Sequence, residues 1–268
     1  MQLDVVDLLE FYRTPLGRVA AGILSRKLTE FWPDTKQDRV LGLGFPTPYL
    51  GAFVEGSERV FAFMPAGQGI FAWPKEGNRS AVLVDETALP LPDSSIDRLL
   101  MVHTLEMVND PLATLQEAWR VMAPGGRIII IVPSRGGLWS RLEASPFGFG
   151  RPFSRGQLQK LLRNALFSPE RWDGALYLPP STSRMMLRSA NAIEKAGQKF
   201  WPALSGVIVA EATKRLYQGL PVANKAKSSR QLRPTLVPAS TRQNHNPVTP
   251  DDAKNSFFCC HRHRAVGQ

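Results

Sequence analysis

Three polar residues stand directly after short apolar runs: Asp85 follows Ser80–Val84, and His103 and Glu106 follow Ile96–Val102. A carboxylate such as Asp85 can accept hydrogen bonds from a ligand's amino or hydroxyl groups, with Glu86 beside it. His103 titrates near neutral pH and could take a proton as a general base, with Glu106 as its neighbour; lining a pocket is the simpler role for both. Gly42-Leu43-Gly44-Phe45 closes an earlier apolar run, where glycines let a backbone approach a ligand closely. Met64 closes the run after that and offers only a weak thioether acceptor. Phe45, Met64 and Phe63 are candidate apolar walls. The stretch Arg135–Arg155 interleaves arginines with Trp139, Phe147, Phe149 and Phe153, a composition suited to gripping an anionic or aromatic molecule or to a solvated loop. Cys259, Cys260, His261 and His263 are potential metal ligands, but they lack the paired, separated spacing of a zinc site, so no metal is expected.

Elements must bring these residues together. Residues 4–31 read as helix interrupted at Pro15. Five short apolar runs follow, Arg39–Gly44, Arg59–Met64, Ser80–Val84, Ile96–Val102 and Arg127–Val132, alternating with helical or turn-rich stretches. That is the pattern of a parallel sheet buried on both faces. A helix is expected over Pro111–Met122, capped by Asp110, ended by Pro124-Gly125-Gly126, and striped by Leu112, Leu115, Trp119 and Met122. Another begins at Ser154, whose spacing from Gln157 is that of a capping box, with Leu158, Leu161, Leu162 and Leu166 as its stripe. Gly174–Leu178 and Gly206–Thr213 read as late strands around a helical insertion at about 184–200. In such a sheet a ligand lies outside the carboxyl ends of the strands, so Gly44–Pro48, Met64–Gly67, Asp85–Thr87 and His103–Glu106 should face one crevice.

The order of these elements carries a resemblance. Asp85 ending the third run, Leu89-Pro90-Leu91-Pro92, Ile96-Asp97 opening the fourth run, the His103–Glu106 loop, and Pro124-Gly125-Gly126 before the fifth run together resemble the type-11 branch of the class I S-adenosylmethionine-dependent methyltransferases over roughly residues 38–170. The resemblance implies a doubly wound, mostly parallel seven-stranded sheet of Rossmann-like methyltransferase fold, with an N-terminal helix ahead of it. It also implies S-adenosylmethionine as cofactor and an unidentified small-molecule methyl acceptor. Carried over by position, Asp85 would bind the adenine amino group, although a turn-capping role is equally open to it. Gly42, Gly44, Phe45, Met64, Glu86 and His103 would complete the cofactor site, with His103 and Glu106 as candidate catalytic groups. The departures are specific. Gly42 stands where the family often has an acid for the cofactor's ammonium group, Pro46 and Pro48 replace glycines, and Met64 replaces the acid that binds the ribose diol. On this reading Met64→Asp would restore a diol acceptor, and a non-catalytic scaffold of the same fold is the alternative. A nucleotide dehydrogenase is disfavoured, since no third glycine completes Gly-x-Gly-x-x-Gly.

The formal charge of +10 does not by itself signal nucleic acid. From Lys225 onward there are eight Lys and Arg against two Asp, so much of the excess lies at the end of the chain. Nucleic acid is therefore a weakly supported partner. Periodicity stops after Pro221, which sets a domain at 1–221 and an expected disordered basic tail at 222–268. No apolar run is long enough for a membrane span, and the acidic first residues are unlike a secretory signal, so a soluble, cytoplasmic protein is expected.

Overall fold

The computed structural model describes residues 3–74, 76, 80–142 and 145–216. By their contacts the described residues form one unit. The boundary expected at 221/222, the tail and the cysteine–histidine cluster lie outside the described residues.

Helices α1 (Val5–Arg13) and α2 (Pro15–Phe31) divide at Thr14. The Thr14 hydroxyl donates to Phe11 O at 2.7 Å and accepts from Gly17 N at 3.0 Å, while Pro15 takes the first helical position, where a missing N–H costs nothing. The sheet strands are β1 (Arg39–Gly44), β2 (Arg59–Pro65), β3 (Ala81–Val84), β4 (Ile96–Val102), β5 (Met122–Pro133), β6 (Phe167–Ala175) and β7 (Val207–Lys214). Between them lie α3 (Thr47–Leu50), α4 (Pro111–Val121), α5 (Arg155–Asn164), α6 (Arg184–Arg188) and α7 (Ala190–Phe200). The strand order is β3-β2-β1-β4-β5-β7-β6, with only β7 antiparallel to its neighbours. The order reverses between β1 and β4, which places the crevice there.

Strand residues alternate between two apolar layers, because successive side chains point to opposite faces. Leu100, Val102, Ile129 and Ile131 pack with α2 and α3; Leu41, Leu43, Met101 and Ile130 pack with α4 and α5. Both faces are therefore dry, as near-continuous apolar strands require.

Several expected details shift. Pro124-Gly125-Gly126 lies within β5, because Met122 already turns to extended backbone at the end of α4. The buried residues of α4 are Thr114, Leu115, Ala118 and Val121, while Leu112 and Trp119 are only partly covered. The capping box of α5 is present, but Leu166 lies beyond the helix at φ 67°, exposed. The strand expected at Gly174–Leu178 is instead β6, ending at Ala175. As an edge strand it buries few side chains and has no readable periodicity, whereas the apolar Leu176 and Leu178 are buried loop residues.

Candidate functional site

The carboxyl ends of β1, β2 and β4 meet tightly. Gly44 adopts φ 94°, and a side chain there would strike Thr104 Oγ1 and Val102 O on the β4 side. The Phe45 amide donates to Val102 O at 2.8 Å and the Thr104 hydroxyl to Leu43 O at 2.9 Å, which ties the β1 loop to the β4 loop. Pro46 folds back over Gly42: a Cβ on Gly42 would lie 2.6 Å from Pro46 Cβ and 2.9 Å from Leu50 Cδ1. The missing acid and the extra proline are thus one packing solution. Pro46 O then accepts from the amides of Tyr49 and Leu50, so the loop passes directly into α3.

A chain of polar side chains runs through this apolar ground. Tyr49 and Tyr12 hydroxyls are 2.7 Å apart, and Tyr12 OH is 2.9 Å from His103 Nε2. His103 Nδ1 lies 3.3 Å from Glu106 Oε1, both side chains being fully buried. Burial raises the pKa of Tyr12 well above the usual phenol value, reinforced by Tyr49 and Glu106, and burial likewise raises that of Tyr49. Both phenols therefore stay protonated and can donate. The consistent assignment is Tyr49 donating to Tyr12, Tyr12 donating to His103 Nε2, and Nδ1–H facing the Glu106 carboxylate. The last contact is off hydrogen-bond alignment, which leaves Nδ1 and both Glu106 oxygens without a hydrogen bond. His103 itself sits at φ 54°, a left-handed conformation that a residue with a side chain adopts at a cost.

Aromatic rings pack around the chain. Phe147 lies 4.7 Å from His103 between centroids, and Tyr12 stacks on Phe45 at 5.5 Å. Gln68, in the loop after β2, crosses over the end of β1: its Nε2 donates to His103 O, and its backbone carbonyl accepts from the Val5 amide at 2.7 Å. Gln68 Oε1 is buried with no hydrogen bond. Beside the chain, residues 106–109 and 148–151 line a cleft of about 410 Å³.

The residues singled out in the sequence separate here. Gly42, Gly44, Phe45 and His103 converge at the crevice floor, and Glu106 stands behind His103. Met64 is 1% exposed and belongs to the apolar layer with Tyr49, Leu50 and Val102, so it faces the core and not an open crevice. Asp85 is exposed, and its Oδ1 accepts from Thr87 N at 2.8 Å and Thr87 Oγ1 at 2.6 Å. The Thr87 hydroxyl, then its amide, lowers the Asp85 pKa. That is the turn-capping geometry, with Glu86 half-buried beside it. Within the arginine-rich stretch, Trp139 and Phe147 are core residues, Trp139 Nε1 donating to Leu178 O at 2.7 Å. The aromatic residues expected to grip a ligand are therefore in large part packed into the core. Tyr12, Tyr49 and Gln68 were not singled out; two of only four tyrosines in one network is a signal that appears only once the elements are assembled.

Among the described residues no helix is long and apolar enough to cross a membrane, and no cluster of His, Cys, Asp and Glu could hold a metal ion. Residues 41–130 match a family described as a methyltransferase domain. A protein of Mycobacterium tuberculosis is 27% identical over 200 residues, covering 71% of this chain and 67% of its own length. Among solved structures, a Thermotoga maritima protein described as an S-adenosylmethionine-dependent methyltransferase, possible histamine N-methyltransferase, aligns with a TM-score of 0.55 at 20% identity, covering 79% of this chain and 96% of its own. The 4+2 cyclase SpnF aligns at TM-score 0.51 and 17% identity, over 72% of this chain and 81% of its own. These structural likenesses concern the fold, and the last shows that the fold alone does not specify a reaction.

S-adenosylmethionine is the cofactor that the family and fold imply, and the site residues can be tested against it. Met64 cannot replace a diol-binding acid, and Gly42 has no room for one. Buried acceptors without hydrogen bonds nevertheless remain at the crevice, on Gln68 and Glu106. Such groups are costly unless something satisfies them. A ligand with hydroxyl and ammonium donors and a positive sulfonium meets that demand, so the residues fit the cofactor through an acceptor set displaced from the end of β2 to Gln68 and Glu106. The match of residues 41–130 to a methyltransferase domain, the ordered motifs and the β3-β2-β1-β4-β5-β7-β6 sheet agree: the chain has the fold of the class I S-adenosylmethionine-dependent methyltransferases and is similar to their type-11 branch.

Proposed function

We propose that the protein transfers a methyl group from S-adenosylmethionine to a small-molecule acceptor, with the cofactor received over the ends of β1, β2 and β4. The observation that carries this reading is the set of buried acceptors without a hydrogen bond, Gln68 Oε1 and the Glu106 carboxylate, the latter in contact with His103 Nδ1 at 3.3 Å, at the crevice over β1 and β4. When bound, the cofactor supplies an electrophilic methyl group on a positively charged sulfur. Glu106 offers that charge a carboxylate and Gln68 offers a hydroxyl or ammonium group an acceptor, while Asp85, with its second oxygen outside the Thr87 turn, is the acceptor for an adenine amino group. Gly44 and Phe45 form the floor. His103, held by Tyr12 and Glu106, can receive a proton from an acceptor at Nε2 once Tyr12 withdraws. Because Tyr12, Phe45 and Gln68 close the crevice, cofactor binding requires helix α1 and the Gln68 loop to move, which lowers apparent affinity by the fraction of molecules that are open.

Calorimetric titration and thermal shift with S-adenosylhomocysteine test the reading. Binding at micromolar or weaker affinity is expected, and Glu106→Gln should weaken it about tenfold, since a charge-assisted contact is worth about 1.5–3 kcal/mol. Neither heat nor thermal shift at millimolar ligand would refute the enzyme and favour a scaffold of the same fold.

A further inference from the structure

A second cleft, of about 670 Å³, opens on the other half of the sheet's carboxyl edge, over β5, β7 and β6. Its position follows from topology. β7 runs antiparallel, so its first residue, Val207, pairs with both Pro133 and Ala175, the last residues of β5 and β6. The backbone that leaves β5 at Ser134–Gly136 and the turn that enters β7 at Ser205 then face each other across a gap. Gly174 keeps that gap open: a Cβ there would lie 2.6 Å from Ser205 Cβ and against the Tyr177 hydroxyl.

The charge in this cleft is unbalanced. Arg135, exposed just after β5, stands on one lip, and Arg155, the first residue of α5, stands over the Trp172 ring at 5.1 Å. Among the described residues neither guanidinium has a carboxylate within ion-pair distance. The one lining carboxylate is Asp173, and it is already engaged. Its Oδ2 takes Lys27 Nζ at 2.8 Å, and its Oδ1 takes the Gly174 amide at 2.8 Å with Gln198 Nε2 at 3.4 Å. Lys27 is shared with the exposed Glu30 at 3.5 Å, so it offsets Asp173 only in part, and the two guanidiniums leave the cleft lining with a net positive charge. The Tyr177 hydroxyl adds a donor, its pKa pushed up to about 12 by burial and then by Asp173 and Glu194, so it is protonated at neutral pH. Phe153, Ile208, Pro202 and Ala203 supply apolar lining.

We propose that this cleft binds a small carboxylic acid with a flat apolar body, its carboxylate held by Arg135 and Arg155 and its body against Ile208, Phe153 and the Trp172 edge. Two guanidinium forks suit the planar, two-oxygen acceptor of a carboxylate. The volume falls in the range of sites for molecules well above the size of a bare inorganic ion. The apolar lining likewise favours an organic body. The site shares no lining residue with the crevice over β1 and β4, so its occupancy does not depend on the cofactor reading.

Naphthalene-2-carboxylate is a suitable probe, titrated calorimetrically into the full chain without any nucleoside present. Saturable binding is expected, weakened at least tenfold by Arg135→Gln and by Arg155→Gln. Arg155→Lys should restore only part of the loss, because it keeps the charge and loses the fork. Naphthalene-2-methanol, of the same shape without the charge, should bind at least tenfold more weakly. Both arginines are at the surface, so the variants should fold, and circular dichroism checks this. No heat at millimolar probe, equal affinity in the arginine variants, or equally effective displacement by inorganic phosphate would each overturn the proposal. A silent titration with S-adenosylhomocysteine would leave it untouched.

Discussion

Met64→Asp separates two pictures of the crevice. If the end of β2 still faced a ribose, the new carboxylate would sit in solvent and tighten S-adenosylhomocysteine binding, as the family pattern suggests. The structure predicts the opposite. Met64 is 1% exposed, within the apolar layer that holds Tyr49, Leu50, Leu100 and Val102. Losing its packing costs about 2–3 kcal/mol, at the lower end of the range for truncating a buried Met. A carboxyl buried there must be protonated. With an unfolded pKa of about 3.9, keeping it neutral at pH 7 costs roughly 1.36 × 3.1, or about 4 kcal/mol. The sum, about 6–7 kcal/mol, rivals the whole stability of a typical domain. The sign with pH follows from the raised folded-state pKa: the penalty grows as pH climbs above the unfolded pKa and shrinks as pH falls toward it. Between pH 7 and pH 5 the variant should therefore recover about 2.7 kcal/mol relative to the parent protein. Urea denaturation followed by circular dichroism at both pH values measures this. A variant as stable as its parent at pH 7, with tighter nucleoside binding, would refute the buried placement of Met64.

Tyr12→Phe removes the hydroxyl that joins Tyr49 to His103 and should destabilise the protein by about 1–3 kcal/mol in urea denaturation, since both partners stay buried. An unchanged midpoint would mean the network is dispensable. Arg120, and then the Leu89 amide, hold the Glu117 pKa below the usual range, with burial opposing them. A lowered folded-state pKa contributes stability above the unfolded pKa that is lost as pH falls, so melting temperature should drop below about pH 4.5 less steeply in Glu117→Gln than in the parent. Identical slopes would discount the ion pair. Removing residues 222–268, whose composition lacks helical or strand periodicity, should leave the melting temperature unchanged; a loss above about 1 kcal/mol would show that the segment packs on the domain.

What the sequence determined by itself were the elements built from local rules. The apolar runs that became β1 to β5, the Asp110 and Ser154 caps and the break at Pro15 all depend on residues a few positions apart, so pattern and propensity suffice to read them. The order of motifs from Asp85 to Gly126 likewise carried the resemblance, and with it the expected sheet topology. Tertiary structure decided the rest, because each outcome joins residues distant in the chain. Edge strand β6 was misread, since a half-exposed strand has no apolar period and the true burial fell on the following loop. Gly42 looked like a lost acid until Pro46 was seen to occupy its space. Met64 has the same residue type whether it faces a ribose or a core, and only the packing of α3 against β2 and β4 placed it inside. Tyr12, 91 residues from His103, became a site residue only when α1 folded over the end of β1. A local pattern specifies which face of an element is apolar, but what that face meets is a property of the assembled chain.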